Sequence, residues 1–80
     1  MSILEIKVEP FAVDVSFAAD DLIMRLADGR QVSVPLAWFP RLLQATSEQR
    51  GNWRLIGNGI GVHWPLIDED VSVATVLSAE

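Results

Sequence analysis

This sequence predicts an α+β fold, with antiparallel β-hairpins forming one sheet, a central helix over Ala37–Ala45 and a short C-terminal helix. Three observations carry the prediction. Apolar and polar residues alternate with period two in several short runs. Pairs of these runs are joined by Asp28-Gly29 and by Asn58-Gly59, dipeptides suited to tight hairpin turns. Between the two pairs the spacing becomes helical, with Trp38, Leu42 and Ala45 on one stripe and Phe39 and Leu43 beside it.

The first run is Ile3–Val8, in which Leu4, Ile6 and Val8 oppose Glu5 and Lys7 until Pro10 ends the pattern. In the second, Phe11, Val13, Val15 and Phe17 share a face and Ala12, Asp14, Ser16 and Ala18 the other, with Asp20-Asp21 as a polar turn. The third and fourth runs set Leu22, Met24 and Leu26 against Val32 and Val34. Parity selects a three-residue loop, Ala27-Asp28-Gly29, which pairs Met24 with Val32 and Leu22 with Val34 and places Gly29 at positive φ. Pro35 closes that strand. Pro40 falls in the first turn of the helix starting near Ala37, where its missing N–H breaks no intrahelical bond. Thr46-x-x-Gln49 forms a capping box for one further short turn, stopped by Gly51. In the last hairpin, a two-residue Asn58-Gly59 turn of type I′ pairs Leu55 with Val62 and Trp53 with Trp64, leaving Arg54 opposite His63 on the other face. Asp68-Glu69-Asp70 then leads to Ser72, the N-cap of a helix through Leu77. The expected core is Leu22, Met24, Leu26, Val32, Val34, Leu42, Leu55, Val62 and Trp64. Of the three tryptophans, two are expected in the core and one partly exposed, with Trp38 the one the pattern settles least.

Composition bounds the function. Eighty residues, half of them hydrophobic, make a single small domain over 1–80. A chain of this length buries only roughly 60% of its unfolded surface, so its core is thin. Six basic and eleven acidic residues give a net charge of −5. That disfavours non-specific nucleic-acid binding. The absence of cysteine removes disulfides, thiolate catalysis and thiolate metal sites. No apolar run approaches the ~18–20 residues that span a bilayer, and Met1–Pro10 lacks the apolar stretch of a signal peptide. The expectation is a cytoplasmic protein without membrane association.

Catalytic chemistry finds little support. His63 is the single histidine, and no motif marks a serine beside it. Asp68, Glu69 and Asp70 with His63 have neither calcium-loop nor zinc-helix spacing, and they suit the positive end of the following helix. Gly57–Gly61 is glycine-rich but joins two strands, so it reads as turn chemistry rather than a phosphate cradle. No catalytic, cofactor-binding or metal-binding residue is assigned, and no cofactor is expected.

The segments Leu26–Arg30, Val34–Arg41, Gly59–Pro65 and Asp68–Ser72 together resemble a family of small bacterial proteins known only as a domain of unknown function. The shared pattern spans about 11–77: an Asp-Gly turn, a helix opening with Trp38-Phe39-Pro40-Arg41, and a Trp-Pro-x-x-Asp segment at Trp64–Asp68 before a short helix. The stretch Gln44–Asn52 is longer here than in other members. The resemblance implies a small α+β domain and brings no catalytic residues. Members stand beside another small gene, which implies a two-gene module of toxin–antitoxin type.

The leading expectation is therefore a non-enzymatic protein-interaction domain that binds the product of a neighbouring gene or a second copy of itself. The candidate surface is Trp38, Phe39, Arg41, His63, Asp68 and Asp70, where aromatic, arginine and acidic residues combine with prolines that fix the backbone. The bland alternative makes Trp38 and Phe39 core and pairs Arg41 with an acid of the Asp68–Asp70 run. Two other readings stand beside it: nucleic-acid binding through an arginine face, and a small enzyme using His63 with Asp68 or Asp70. An exposed edge such as Leu4–Val8 could also add a strand to a partner.

Overall fold

The computed structural model describes residues Pro10–Ser78. The Ile3–Val8 run, with its Leu4–Val8 edge, lies outside the described residues. The fold is α+β, but the strands form two antiparallel sheets rather than one. The first contains β1 (Ala12–Ala18), β2 (Asp21–Leu26) and β3 (Gln31–Pro35), in that order. A helical crossover follows: a 3-10 turn at Leu36–Trp38, then α1 (Pro40–Leu43) and α2 (Ser47–Gly51). The second sheet contains β4 (Arg54–Ile56), β5 (Gly61–Trp64) and β6 (Glu69–Ser72), and α3 (Val73–Ser78) ends the described chain. Two sheets form because β3 stops at Pro35 and the crossover carries the chain away. The second hairpin then takes its third strand from Glu69–Ser72 instead of joining the first sheet. That segment was expected only as an acidic leader to the helix, yet Val71 pairs with Val62 and both are buried.

The first sheet keeps the expected β2–β3 register, with Leu22 opposite Val34 and Met24 opposite Val32. Leu26 N–H donates to the Arg30 carbonyl at 2.8 Å, which closes the three-residue loop, and Gly29 has φ +97°. In β1 the simple alternation fails. A bulge between Ala12 and Asp14 places two steps of β1 against one of β2. Ala12 therefore turns inward, Val13 is 45% exposed, and Val15 and Phe17 return to the inner face. The β1–β2 turn is Ala19-Asp20, one residue earlier than expected, with Asp21 already in β2.

No single central helix covers a face. Phe39, at φ −129° and ψ 81°, interrupts the expected Ala37–Ala45 helix, and α1 restarts with Pro40 at its first position. Proline's ring crowds the preceding residue out of the helical region, so the break falls at Phe39. The Thr46/Gln49 capping box forms reciprocally, at 3.1 and 2.9 Å. Ser72 caps α3 as expected, its Oγ accepting from Thr75 N–H at 3.0 Å.

One core serves both sheets. Leu22, Met24, Leu26, Val32 and Val34 meet Val62, Trp64 and Val71, with Leu36, Leu42, Val73 and Val76 from the crossover and α3. Leu55 is the exception to the expected core. It sits opposite Val62 in register, but on an outer strand, and remains 38% exposed. Trp64 is fully buried, Trp53 packs against the core half-buried, and Trp38 is exposed.

The β4–β5 register also holds, with Arg54 opposite His63 and Leu55 opposite Val62. Its turn does not. The connection is the four-residue loop Gly57–Ile60, in which Gly57 and Gly59 have positive φ. The cause is tertiary. Gly59 carbonyl accepts from Ala12 N–H at 2.7 Å and Ile60 carbonyl from Val73 N–H at 2.9 Å, so the loop is pulled onto β1 and α3. A Cβ on Gly59 would lie 2.5 Å from the Ala12 carbonyl oxygen.

Candidate functional site

The candidate surface resolves into two pairs. On the helical crossover, Arg41 in α1 reaches the chain after β5, and its Nη1 donates to the Asp68 main-chain carbonyl at 2.6 Å. The bland alternative gave it an acidic side chain of the Asp68–Asp70 run as partner. A carbonyl is available instead because Asp68 adopts φ +51°, a left-handed conformation that turns the chain sharply into β6. Trp38, three residues before Arg41, is 52% exposed, whereas Phe39 packs against the core. Trp38 thus remains in the candidate surface and Phe39 is divided between surface and core.

The second pair lies across the β5–β6 ladder. His63 and Asp70 are direct partners in register, and His63 Nδ1 is hydrogen-bonded to Asp70 Oδ1. With the carboxylate as acceptor, Nδ1 carries the hydrogen and Nε2 is left as the imidazole's other face. Arg54 is His63's partner on β4, so Arg54, His63 and Asp70 form one row across the sheet, on the face opposite buried Trp64. Asp68 lies outside that row. The acidic run therefore divides: the Asp68 carbonyl holds Arg41, Glu69 pairs with Trp64, and Asp70 holds His63. Among the described residues no group of three or more His, Cys, Asp or Glu side chains converges as a metal site.

A third locus was not marked by the sequence reading. Arg50, at the end of α2, donates from Nε to the Leu42 carbonyl at 2.9 Å and from Nη2 to the Leu43 carbonyl at 3.0 Å. It thereby caps the end of α1, where carbonyls lack intrahelical partners. Its guanidinium carbon stands 5.5 Å from the centre of the Phe17 ring, and its own carbonyl accepts from Trp64 Nε1 at 2.9 Å. Phe17 meets Trp64 edge-on, with ring centres 6.3 Å apart. An open cavity of about 350 Å³ lies here, lined by Phe17, Ala19, Ser47, Arg50 and Gly51. The capping box could have placed Arg50 in the last turn of α2. No local pattern points from there to carbonyls seven and eight residues earlier.

Residues 12–80 match the model of a family described as "Protein of unknown function (DUF2442)". Among solved structures, a protein of unknown function from Rhodospirillum rubrum ATCC 11170 is similar in fold, with a TM-score of 0.75 and 24% sequence identity. The likeness covers 90% of this chain and 89% of that one. No curated protein matches.

Proposed function

The chain belongs to the DUF2442 family, and from that footing we propose that it is a non-enzymatic protein-interaction domain. Its working surface is Trp38 and Arg41 with the His63–Asp70 segment. The observation that carries the reading is Trp38, 52% exposed where the other two tryptophans are buried or packed on the core. Beside it in the chain, Arg41 is held by the Asp68 carbonyl. An exposed tryptophan and a pre-positioned arginine are the residue types that dominate binding energy at protein interfaces. His63 and Asp70 form a row on a sheet face rather than a pair inside a cavity, which favours recognition over catalysis. Arg30, Arg41 and Arg50 are tied to Asp28, Asp68 and α1, which weighs against a dedicated arginine face for nucleic acid. The partner is a protein encoded beside this chain, as in a two-gene toxin–antitoxin-like module.

The test is co-purification of the adjacent gene's product with the tagged chain, alongside solution mass of the chain alone. Trp38→Ala is expected to abolish co-purification and leave thermal unfolding unchanged. Retained association in Trp38→Ala, or no association in the unsubstituted chain, would overturn the reading.

A further inference from the structure

The edge of β1 that pairs with no other strand among the described residues carries an inference independent of the Trp38 surface. Backbone groups of an antiparallel strand point alternately to one neighbour and to the other. Two bonds on the β3 side of β2 fix the phase in the first sheet: Leu26 N–H to Arg30 carbonyl and Leu36 N–H to Asp20 carbonyl, both 2.8 Å. Ala27 N–H to Phe11 carbonyl, at 2.7 Å, lies on the β1 side and agrees. Asp21, Ile23 and Arg25 therefore turn toward β1, where their register partners are Ala18, Ser16 and Asp14. Phe17 and Val15 turn their N–H and C=O groups away from the sheet. Beyond the ladder, neither backbone group of Phe17 has a backbone partner among the described residues.

The same reasoning applies to the second sheet. Val73 N–H to Ile60 carbonyl fixes its phase, so that Gly61 and His63 turn toward Ile56 and Arg54, and Leu55 turns its backbone outward. Two pins tie β1 to the chain on either side of β4. One is the 2.7 Å bond from Ala12 N–H to the Gly59 carbonyl, after β4; the other is Arg50 over Phe17, before β4. Between the pins the two strands belong to different sheets. Phe17 also lines the cavity it shares with Ala19, Ser47, Arg50 and Gly51.

We propose that the Phe17 end of β1 takes an extended, basic peptide segment of a partner protein as an added strand, with one of its side chains seated in that cavity. Backbone geometry selects an extended chain, because the outward donor and acceptor of Phe17 sit in the pattern that a strand completes. Charge selects a basic one. Asp20 follows Ala19, Asp21 opens β2 and Glu48 follows Ser47, whereas the Arg50 guanidinium is engaged by the α1 carbonyls and the Phe17 ring. Opposite charges next in the chain to the lining residues steer such a segment toward the edge.

Amide hydrogen exchange on the full chain tests this, with Ser16 as the internal reference. In the free protein the Phe17 amide is expected to exchange at least about tenfold faster than that of Ser16, since ladder amides are protected and free ones are not. Millimolar acetyl-Thr-Val-Lys-Val-Lys-amide is expected to slow Phe17 exchange. The same peptide N-methylated at alternate residues is expected to have no effect, and a version with Glu in place of Lys a weaker one at low salt. Protection of Phe17 in the free chain would overturn the proposal, because a segment of this chain would already hold the edge. So would protection that rises only with protein concentration, which assigns the edge to a second copy, and so would equal slowing by the N-methylated peptide or none by any. These outcomes read the β1 edge alone, so they stand apart from the fate of Trp38→Ala.

Discussion

The two sheets solve the same problem in different ways. The first is held mainly by its own ladders: β2 is paired along its length on both sides, and its inner residues Leu22 and Met24 are fully buried. The second is shorter, with an outer strand of three residues and an exposed Leu55. Its position depends on contacts with the rest of the molecule. The Gly57–Ile60 loop is bonded to β1 and α3, and Trp64 is bonded to the Arg50 carbonyl and packed against Phe17. A three-stranded sheet with one apolar face can be specified locally, whereas a short one needs partners to exclude water from its inner face.

Truncating the residue that joins the sheets should do the most damage. Trp64→Ala is expected to destabilise by about 3–5 kcal/mol, through lost burial and a cavity. It also leaves the Arg50 carbonyl without its indole donor. For a small domain this approaches total stability. Urea denaturation checks it; a loss below that of Met24→Ala would mean the second sheet is not the more dependent of the two.

Next come the hairpin glycines, which separate conformational strain from tertiary contact. A Cβ at Gly29 meets nothing within 4 Å, so Gly29→Ala should cost about 1 kcal/mol, from its positive φ alone. A Cβ at Gly59 would collide with the Ala12 carbonyl as well as suffer φ +109°. Gly59→Ala should therefore exceed Gly29→Ala by about 1–3 kcal/mol. Equal losses in thermal melts would show that the loop yields freely and does not pin the sheets.

Arg50→Met keeps much of the side-chain stem but removes two donors to the α1 carbonyls. The expected loss is about 1.5–3 kcal/mol, the range for hydrogen bonds to a charged group, toward the lower end because Arg50 is only part-buried. Rescue by Arg50→Lys should be partial, because an ammonium lacks the planar fork that reaches both oxygens.

The smallest effect belongs to the exposed turn of the first sheet. The Arg30 N–H, 3.0 Å from Asp28 Oδ1, holds the Asp28 carboxyl below its ordinary value, aided by the Arg30 side chain. A depressed carboxyl contributes stability that is present above its unfolded pKa and lost as pH falls through the folded one. Asp28→Asn should thus melt slightly lower than the unsubstituted chain at neutral pH, with the gap closing in acid. A gap that widens in acid would contradict the assignment.

Legibility followed the same division. The Met24–Val32 register, the Gly29 loop, the Thr46 capping box and the Ser72 cap were all readable, because each depends on neighbours within a few positions. In the candidate site, the sequence left Trp38 open between surface and core and the structure exposes it, while His63 faces away from Trp64 as strand parity predicts. The contact of Arg41 was less legible: only the bland alternative gave it a partner, an acid of the Asp68–Asp70 run, and it meets the Asp68 carbonyl. The bulge at Val13 was hidden, since Phe11, Val13, Val15 and Phe17 alternate without interruption in the sequence.

By itself, then, the sequence determined the α+β class, the hairpin registers and most of the core, because side-chain alternation and turn chemistry act over a few residues. Only the tertiary structure decided that there are two sheets, that Asn58-Gly59 lies in a four-residue loop, and that Arg50 closes α1. These depend on which carbonyls, rings and strand edges meet across the core. Ala12 and Gly59 lie far apart in the chain, and the 2.7 Å bond between them joins β1 to the loop of the second hairpin.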